Sequence, residues 1–314
     1  MTTEQKPSSF NLRDYNSSKS GVCMTYRDMV QYQTVDYVKD MKFKYTMPPF
    51  SKYNMWDMVD RLNNIIDESD PDCEIAQIVH SYQTGERIKE LFMLDDKRIK
   101  SISVRTLFTD VEWMSIPIEY RIVLNTTMDY LYGNIEDWSW FPLIGFIHDL
   151  GKVMMLEEFG SLPQWSVVGD TFPVGCKLSS NFPYYECEYW KNNNSINGSM
   201  DLYETRCGFD KIDFSWGHDE YIASFIERNS LGMPEEASYI ARYHSFYSWH
   251  TPRNGNRDYV KYSNDKDWIM LPLLKAFNMA DLYSKVDNIP DINKIKDDYG
   301  VLIDKYFTRD KVYW

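Results

Sequence analysis

One stretch constrains this chain more than any other. From Phe141 to Met155 the residues are strongly apolar and helix-like, yet His148, Asp149 and Lys152 sit among them. On a helix Asp149 lies about 100° round from His148, and Lys152 falls four residues after His148 and three after Asp149, on the same face. An imidazole, a carboxylate and an ammonium therefore converge within one turn. A carboxylate in apolar surroundings is costly unless it is paired or bound to a metal. Gly151 costs such a helix up to about 1 kcal/mol, which a close approach by backbone or ligand would explain. A His-Asp pair by itself is most simply an internal ion pair, so its meaning depends on what the rest of the chain brings to it.

The remainder reads as helical. Apolar residues recur at helical spacing from about Met24 to Pro48, and again from Met58 to Ile66 before the acidic run Asp67-Glu68-Ser69-Asp70-Pro71. A third helix carries His80 and continues to Leu91. Ile122 to Leu131 suggests another, and later patterns span Glu220 to Arg228, Glu235 to Tyr247 and Met270 to Lys285. Residues 160–210 are rich in Pro, Gly and Asn and read as loop, with Asn192 to Ser199 the most flexible-looking part. Alternating strand patterns are few, and no internal repeat or phosphate-binding glycine motif occurs. The expected fold is mainly α, a single-domain bundle with long loops and few or no strands. Residues 1–9 are polar and expected to be a disordered tail, leaving 10–314 as the domain.

Charge and cysteine usage narrow the partners. The net charge of -13 repels polyanions on average, which argues against nucleic acid and for a neutral or cationic substrate. The five cysteines are odd in number and form no CxxC pair, as expected of free thiols in a reducing compartment. No secretory signal follows Met1, and no run of about 18 apolar residues occurs. A cytoplasmic, membrane-free monomer is the expectation.

Only five histidines occur, and four of them share a setting. His80, His148, His218 and His244 lie in helical, apolar or aromatic surroundings, and Asp281 adds a carboxylate within Phe-Asn-Met-Ala-Asp-Leu-Tyr. The order His…His-Asp…His…His…Asp resembles the HD-domain superfamily, in which such residues bind metal inside a helical bundle. Four imidazoles and two carboxylates exceed what a tetrahedral structural zinc takes. They suit two six-coordinate metals sharing a carboxylate. Nitrogen and oxygen donors without thiolate point to iron or manganese.

Longer motifs sharpen the resemblance. Tyr32-Gln33-Thr34-Val35-Asp36, Asp67-Glu68-Ser69-Asp70-Pro71-Asp72, Val168-Gly169-Asp170-Thr171-Phe172-Pro173-Val174-Gly175-Cys176, Ser215-Trp216-Gly217-His218-Asp219-Glu220-Tyr221 and His244-Ser245-Phe246-Tyr247 look like the myo-inositol oxygenase family. So do Leu302-Ile303-Asp304-Lys305-Tyr306 and Trp314. The resemblance covers roughly residues 10–90 and 137–314. It implies an HD-type bundle holding two iron ions, thought to work as a mixed-valent Fe(II)/Fe(III) pair, with dioxygen as co-substrate. It places His80, His148, Asp149 and Asp281 on one iron, with Asp149 bridging to a second held by His218 and His244. It gives Asp149 and Lys152 catalytic roles. Substrate contacts would come from Arg13, Asp67, Glu68, Ser69, Lys152, Gly169, Asp170, His244 and Ser245. His250 has no ligand role in the resemblance and is expected to be structural or to support a ligand. One departure stands out. His80 and His148 lie 68 positions apart, so residues from about 91 to 136 read as an insertion, either a surface excursion or a cover or partner contact.

The implied reaction is oxygen-dependent, four-electron ring cleavage of myo-inositol to D-glucuronate. Six hydroxyls on a neutral polyol need many hydrogen-bond partners, which the polar residues above would supply. Two other readings use the same residues. An HD-type phosphohydrolase would employ the two metals to activate water, though few basic residues flank the ligand motifs. A non-catalytic inositol-binding scaffold would be expected to have lost ligands, and all six are present.

Overall fold

The computed structural model describes residues 20–48, 50–69, 77–95, 97–125, 132–133, 135–185, 201–282, 292–307 and 312–314. Arg13, residues 1–9 and the Asn192–Ser199 stretch lie outside them. Twelve α-helices are described: α1 (Ser20–Tyr32), α2 (Val35–Thr46), α3 (Met55–Arg61), α4 (Gln77–Phe92), α5 (Asp110–Ser115), α6 (Ile118–Leu124), α7 (Trp140–Ile147), α8 (His218–Asn229), α9 (Glu235–Tyr243), α10 (Tyr247–His250), α11 (Asp265–Leu282) and α12 (Ile292–Tyr306). Among the described residues, strands are confined to two small antiparallel pairs, β1 (Lys52–Tyr53) with β4 (Val312–Tyr313) and β2 (Met93–Asp95) with β3 (Arg98–Ile99). The chain is a mainly α bundle, as its periodicity predicts. No described helix is long and apolar enough to cross a membrane.

The centre of the bundle is α7, whose eight residues are all buried. Pro142 is tolerated there because amides in a first helical turn have no intrahelical acceptor. Two glycines let α4 cross α7 closely. A Cβ on Gly145 would stand 2.7 Å from Ile88 Cδ1 and 3.0 Å from Gly85 Cα. That crossing sets His80, five residues before Gly85, beside His148, three residues after Gly145.

Three features differ from the sequence reading. The helical stretch from Met24 to Pro48 is broken at Gln33–Thr34. Thr34 caps α2 by accepting from the Tyr37 amide at 3.1 Å, and buried Gln33 both donates to the Trp216 carbonyl and accepts its amide. Second, the helix expected from Phe141 to Met155 changes type at His148. Residues His148–Met155 form a 3-10 helix. The His148 imidazole donates through Nδ1 to the Gly145 carbonyl at 2.7 Å, the acceptor that the Asp149 amide would use in a continuing α-helix.

Third, the described part of 91–136 is not a surface excursion. Phe92, Met93, Ile99, Val104, Leu107, Phe108, Ile116 and Leu124 are buried in the common core. Tyr120 stacks on Trp268 of α11 at 5.1 Å, and both α6 and the 3-10 turn Val104–Leu107 pack on α11.

Candidate metal centre

Five segments that are far apart in sequence deliver the six expected ligands to one buried point. α4 brings His80 and the 3-10 helix after α7 brings His148 and Asp149. The first turn of α8 brings His218, the residue after α9 is His244, and the last turn of α11 holds Asp281. All six are buried. His80 Nε2 lies 2.9 Å from Asp281 Oδ1, and His148 Nε2 lies 3.3 Å from the same oxygen. Asp149 presents its two oxygens to different neighbours. Oδ2 is 3.6 Å from His148 Nε2 and 3.9 Å from His80 Nε2, whereas Oδ1 is 3.4 Å from His218 Nε2. His218 and His244 meet through their Nε2 atoms at 3.2 Å. The donor atoms thus form two groups that share Asp149: His80, His148, Asp149 and Asp149, His218, His244.

Local packing aims these groups. Gly151 is needed because a Cβ there would strike the backbone of His218, which is the close approach its position in an apolar helix suggests. A 3-10 helix eclipses residues three apart, so Lys152 lies directly over Asp149, with Nζ 2.9 Å from Oδ2. Three imidazoles are locked by their outer nitrogens. His148 Nδ1 donates to Gly145 O at 2.7 Å, His218 Nδ1 to Val167 O at 2.7 Å and His244 Nδ1 to Ala241 O at 2.8 Å. A carbonyl can only accept, so each Nδ1 carries a proton and a neutral ring turns its Nε2 lone pair inward. This is how proteins orient metal-bound histidines.

The electrostatics fit a cation. Asp149, Asp281, Asp219, Asp67 and Asp170 outnumber the ammonium and guanidinium groups beside them. Protons fill the deficit. Burial opposes charging His148, but Asp149 and Asp281 outweigh it and raise the imidazole to about 9. His218 is raised too, against burial, chiefly by Asp219. Burial also works against ionising Asp149 and Asp281, yet Lys152 with the histidines holds the first, and the histidines the second, well below the usual carboxylate range. His244 behaves differently. Burial, reinforced by its charged histidine neighbours, pushes it down to about 4, so it stays neutral with its lone pair facing His218. A proton on His148 thus holds the place of a cation, which metal binding would displace.

The cavity has a volume of about 40 Å³ and is lined almost wholly by polar groups. Beyond the six ligands, the expected substrate residues Asp67, Ser69, Lys152, Gly169, Asp170 and Ser245 line it. Gly169 needs its positive φ of 94°, a conformation that side chains resist. Glu68 is the exception: its side chain is exposed and outside the lining. Lys152 also departs from expectation. Its ammonium faces the cavity, but all three protons are engaged, by Asp149 at 2.9 Å, Asp67 at 2.8 Å and Gln77 Oε1 at 2.8 Å. Those carboxylates outweigh burial and raise its pKa, and Lys152 with Ser69 holds Asp67 at about 2 despite its burial.

Several participants escaped the sequence reading. Asp219 is one. Its Oδ1 lies 2.9 Å from His218 Nε2 and 3.5 Å from His244 Nε2, while Oδ2 accepts from the Ser245 amide and the Thr171 hydroxyl, each at 3.0 Å. Its place directly after His218 repeats the His148-Asp149 pairing and was the available signal. Tyr26 and Tyr247 also line the cavity, and Tyr26 donates to Asp170 Oδ1 at 2.8 Å. His250 lies just behind the site, neutral because burial and Lys275 push it down to about 3.

Known proteins share this chain's pattern over nearly its full length. The family profile described as myo-inositol oxygenase matches residues 19–111 and 122–314. A curated protein named inositol oxygenase from Danio rerio is 36% identical over 286 residues, 90% of this chain and 85% of that protein. One of the same name from Dictyostelium discoideum is 35% identical over 308 residues, covering 96% and 89%. Another from Homo sapiens is 33% identical over 302 residues, covering 94% and 88%.

Proposed function

The chain belongs to the myo-inositol oxygenase family, and from that premise we propose that it cleaves the ring of myo-inositol with dioxygen, giving D-glucuronate and water, at a two-iron centre. The observation that carries the reading is Asp149, whose two oxygens face two separate groups of imidazoles in one buried, polar cavity. His80, His148 and Asp281 would hold one iron and His218 and His244 the other. When bound, the pair would supply Lewis acidity that lowers the pKa of a ligating hydroxyl, and would relay to dioxygen the four electrons that come from oxidation of myo-inositol itself. We assign the resting pair a mixed-valent Fe(II)/Fe(III) state.

The protein's own groups do the positioning. Asp67, Ser69, Asp170 and Ser245 offer acceptors and donors to the polyol hydroxyls, and Arg13 is assigned a contact by family likeness. Gly169 lets the backbone come close to the ring. Lys152 steers one hydroxyl and stabilises negative charge on its oxygen, which requires that hydroxyl to replace Asp67 or Gln77 as its partner. Burial of the ligands keeps water from competing. Residues 112–121 alone fall between the two matched stretches, and α5 and α6, which contain most of them, are read as closing one flank of α11. The chain is assigned to the cytoplasm as a monomer, with no nucleic-acid or membrane partner.

The hydrolytic alternative uses the same ligands but lacks the family match. An oxygen electrode separates the two. One dioxygen consumed per myo-inositol, with D-glucuronate as product and no turnover without oxygen, is expected. Phosphate-ester hydrolysis under anaerobic conditions, with myo-inositol inert, would overturn the reading.

A further inference from the structure

A second buried polar cluster stands behind the metal centre, built on an ion pair that the oxygenase reading does not use. Glu112 of α5 and Lys275 of α11 are both buried, and Nζ lies 2.6 Å from Oε1. The other oxygen of Glu112 accepts from the amide and the hydroxyl of Thr109, each at 2.9 Å, completing the capping box of α5. A carboxylate held at both oxygens cannot swing away, so it anchors Lys275. That residue precedes Asp281 by six positions on the same helix.

The cluster also reaches His244. Lys275 Nζ donates to Thr251 Oγ1 at 3.4 Å, and that oxygen lies 3.0 Å from His250 Nδ1 and 2.9 Å from Asn278 Oδ1. His250 Nε2 then donates to the main-chain carbonyl of His244 at 2.9 Å. A continuous path therefore runs from Glu112 through Lys275, Thr251 and His250 to the backbone of a ligand. Glu112 lies between the matched stretches 19–111 and 122–314, whereas Lys275, Thr251 and His250 lie within the second.

We propose that Glu112 and Lys275 are positioning residues for the metal centre, whose ion pair keeps the backbone at His244 and the end of α11 at Asp281 in ligating register. The proposal rests on the reading of those two residues as iron ligands. A pair that only held the fold together would leave the centre unchanged whenever the chain folds. A positioning pair changes the centre even then.

The test compares iron release into a chelator, and the paramagnetic resonance signal of the iron pair, in iron-loaded protein. Glu112→Gln leaves the Lys275 ammonium buried without its counter-ion and can destabilise the chain on that ground alone. The double variant Glu112→Leu/Lys275→Met removes both charges, which folds tolerate well. Thr251→Val cuts the path without stranding a charge. In chains with wild-type melting behaviour, iron release about 10-fold faster and an altered resonance signal are expected from the double variant, with a smaller change from Thr251→Val. Wild-type release with an unchanged signal in either folded variant would overturn the proposal. A wild-type chain that binds no iron would overturn the metal-centre reading itself, and the brace with it.

Discussion

Two buried polar clusters lie back to back in this bundle, and they balance charge differently. Around Glu112 and Lys275 the ion pair is closed within the protein, and Thr109 and Thr251 occupy further bonding positions. Arg257, beside it, lies over the rings of Trp249 and Trp268. Around Asp149 the carboxylates exceed the fixed cations, and His148 must hold a proton to about pH 9 to offset them. In the Glu112 cluster the fixed cations match or exceed the carboxylate. A cluster that stays negative after every side chain has been counted is waiting for cations. The contrast also explains why the two sit together: the rigid one can hold the geometry that the charge-deficient one cannot hold alone.

Asp149→Asn breaks the contrast most severely. The amide removes the one charge shared by both ligand groups, so iron binding should weaken by more than the 10–100-fold typical of groups that only support a ligand, and turnover should vanish. Full iron content and activity in that variant would return Asp149 to an ordinary ion pair. Lys152→Met comes next. It strands Asp67 and Asp149, costing the metal-free chain about 3–5 kcal/mol, and kcat/KM of the loaded enzyme should fall about 100-fold through lost orientation. Calorimetry of both forms checks the first number and steady-state assays the second.

Gly151→Ala tests the approach of α8 to the 3-10 helix. The added methyl meets the His218 backbone, so a loss of about 1–3 kcal/mol is expected, together with weaker binding at the His218 and His244 side. A variant with unaltered melting and iron content would mean that the contact is slack. The smallest effect is the pH response of the metal-free chain. Because the folded state raises His148 from 6.5 to about 9, its contribution is full below pH 6.5 and is lost as pH rises towards 9. Melting temperature should therefore fall across that window without metal and hold steady with it. The Glu112 carboxyl, which Lys275 and Thr109 hold below its ordinary value of 4.5 despite burial, contributes above pH 4.5 and is lost only below it. His148 and Glu112 thus titrate in separate windows.

Much of the centre was legible in the sequence because polar residues in apolar settings need a reason. His80, His148, Asp149, His218, His244 and Asp281 stood out on that ground, and the fold brings them together. The same logic pointed to a close contact at Gly151. What was illegible depended on partners distant in the chain. The change to a 3-10 helix at His148 turns on a carbonyl taken by a side chain and on the backbone of His218. Gln77 as a partner of Lys152 comes from the start of α4, which sequence distance hides. Residues 91–125 looked expendable beside intact motifs on both sides, yet Glu112 finds Lys275 across the fold, 163 positions away.

The most direct test is an anaerobic titration of the metal-free wild-type chain with Fe(II), followed by desalting and iron analysis. Two irons retained per chain, with a proton released as His148 gives its own up, is the expected result. A chain that retains no iron, and whose melting temperature Fe(II) leaves unchanged, would show that the charge-deficient cluster is not a metal centre.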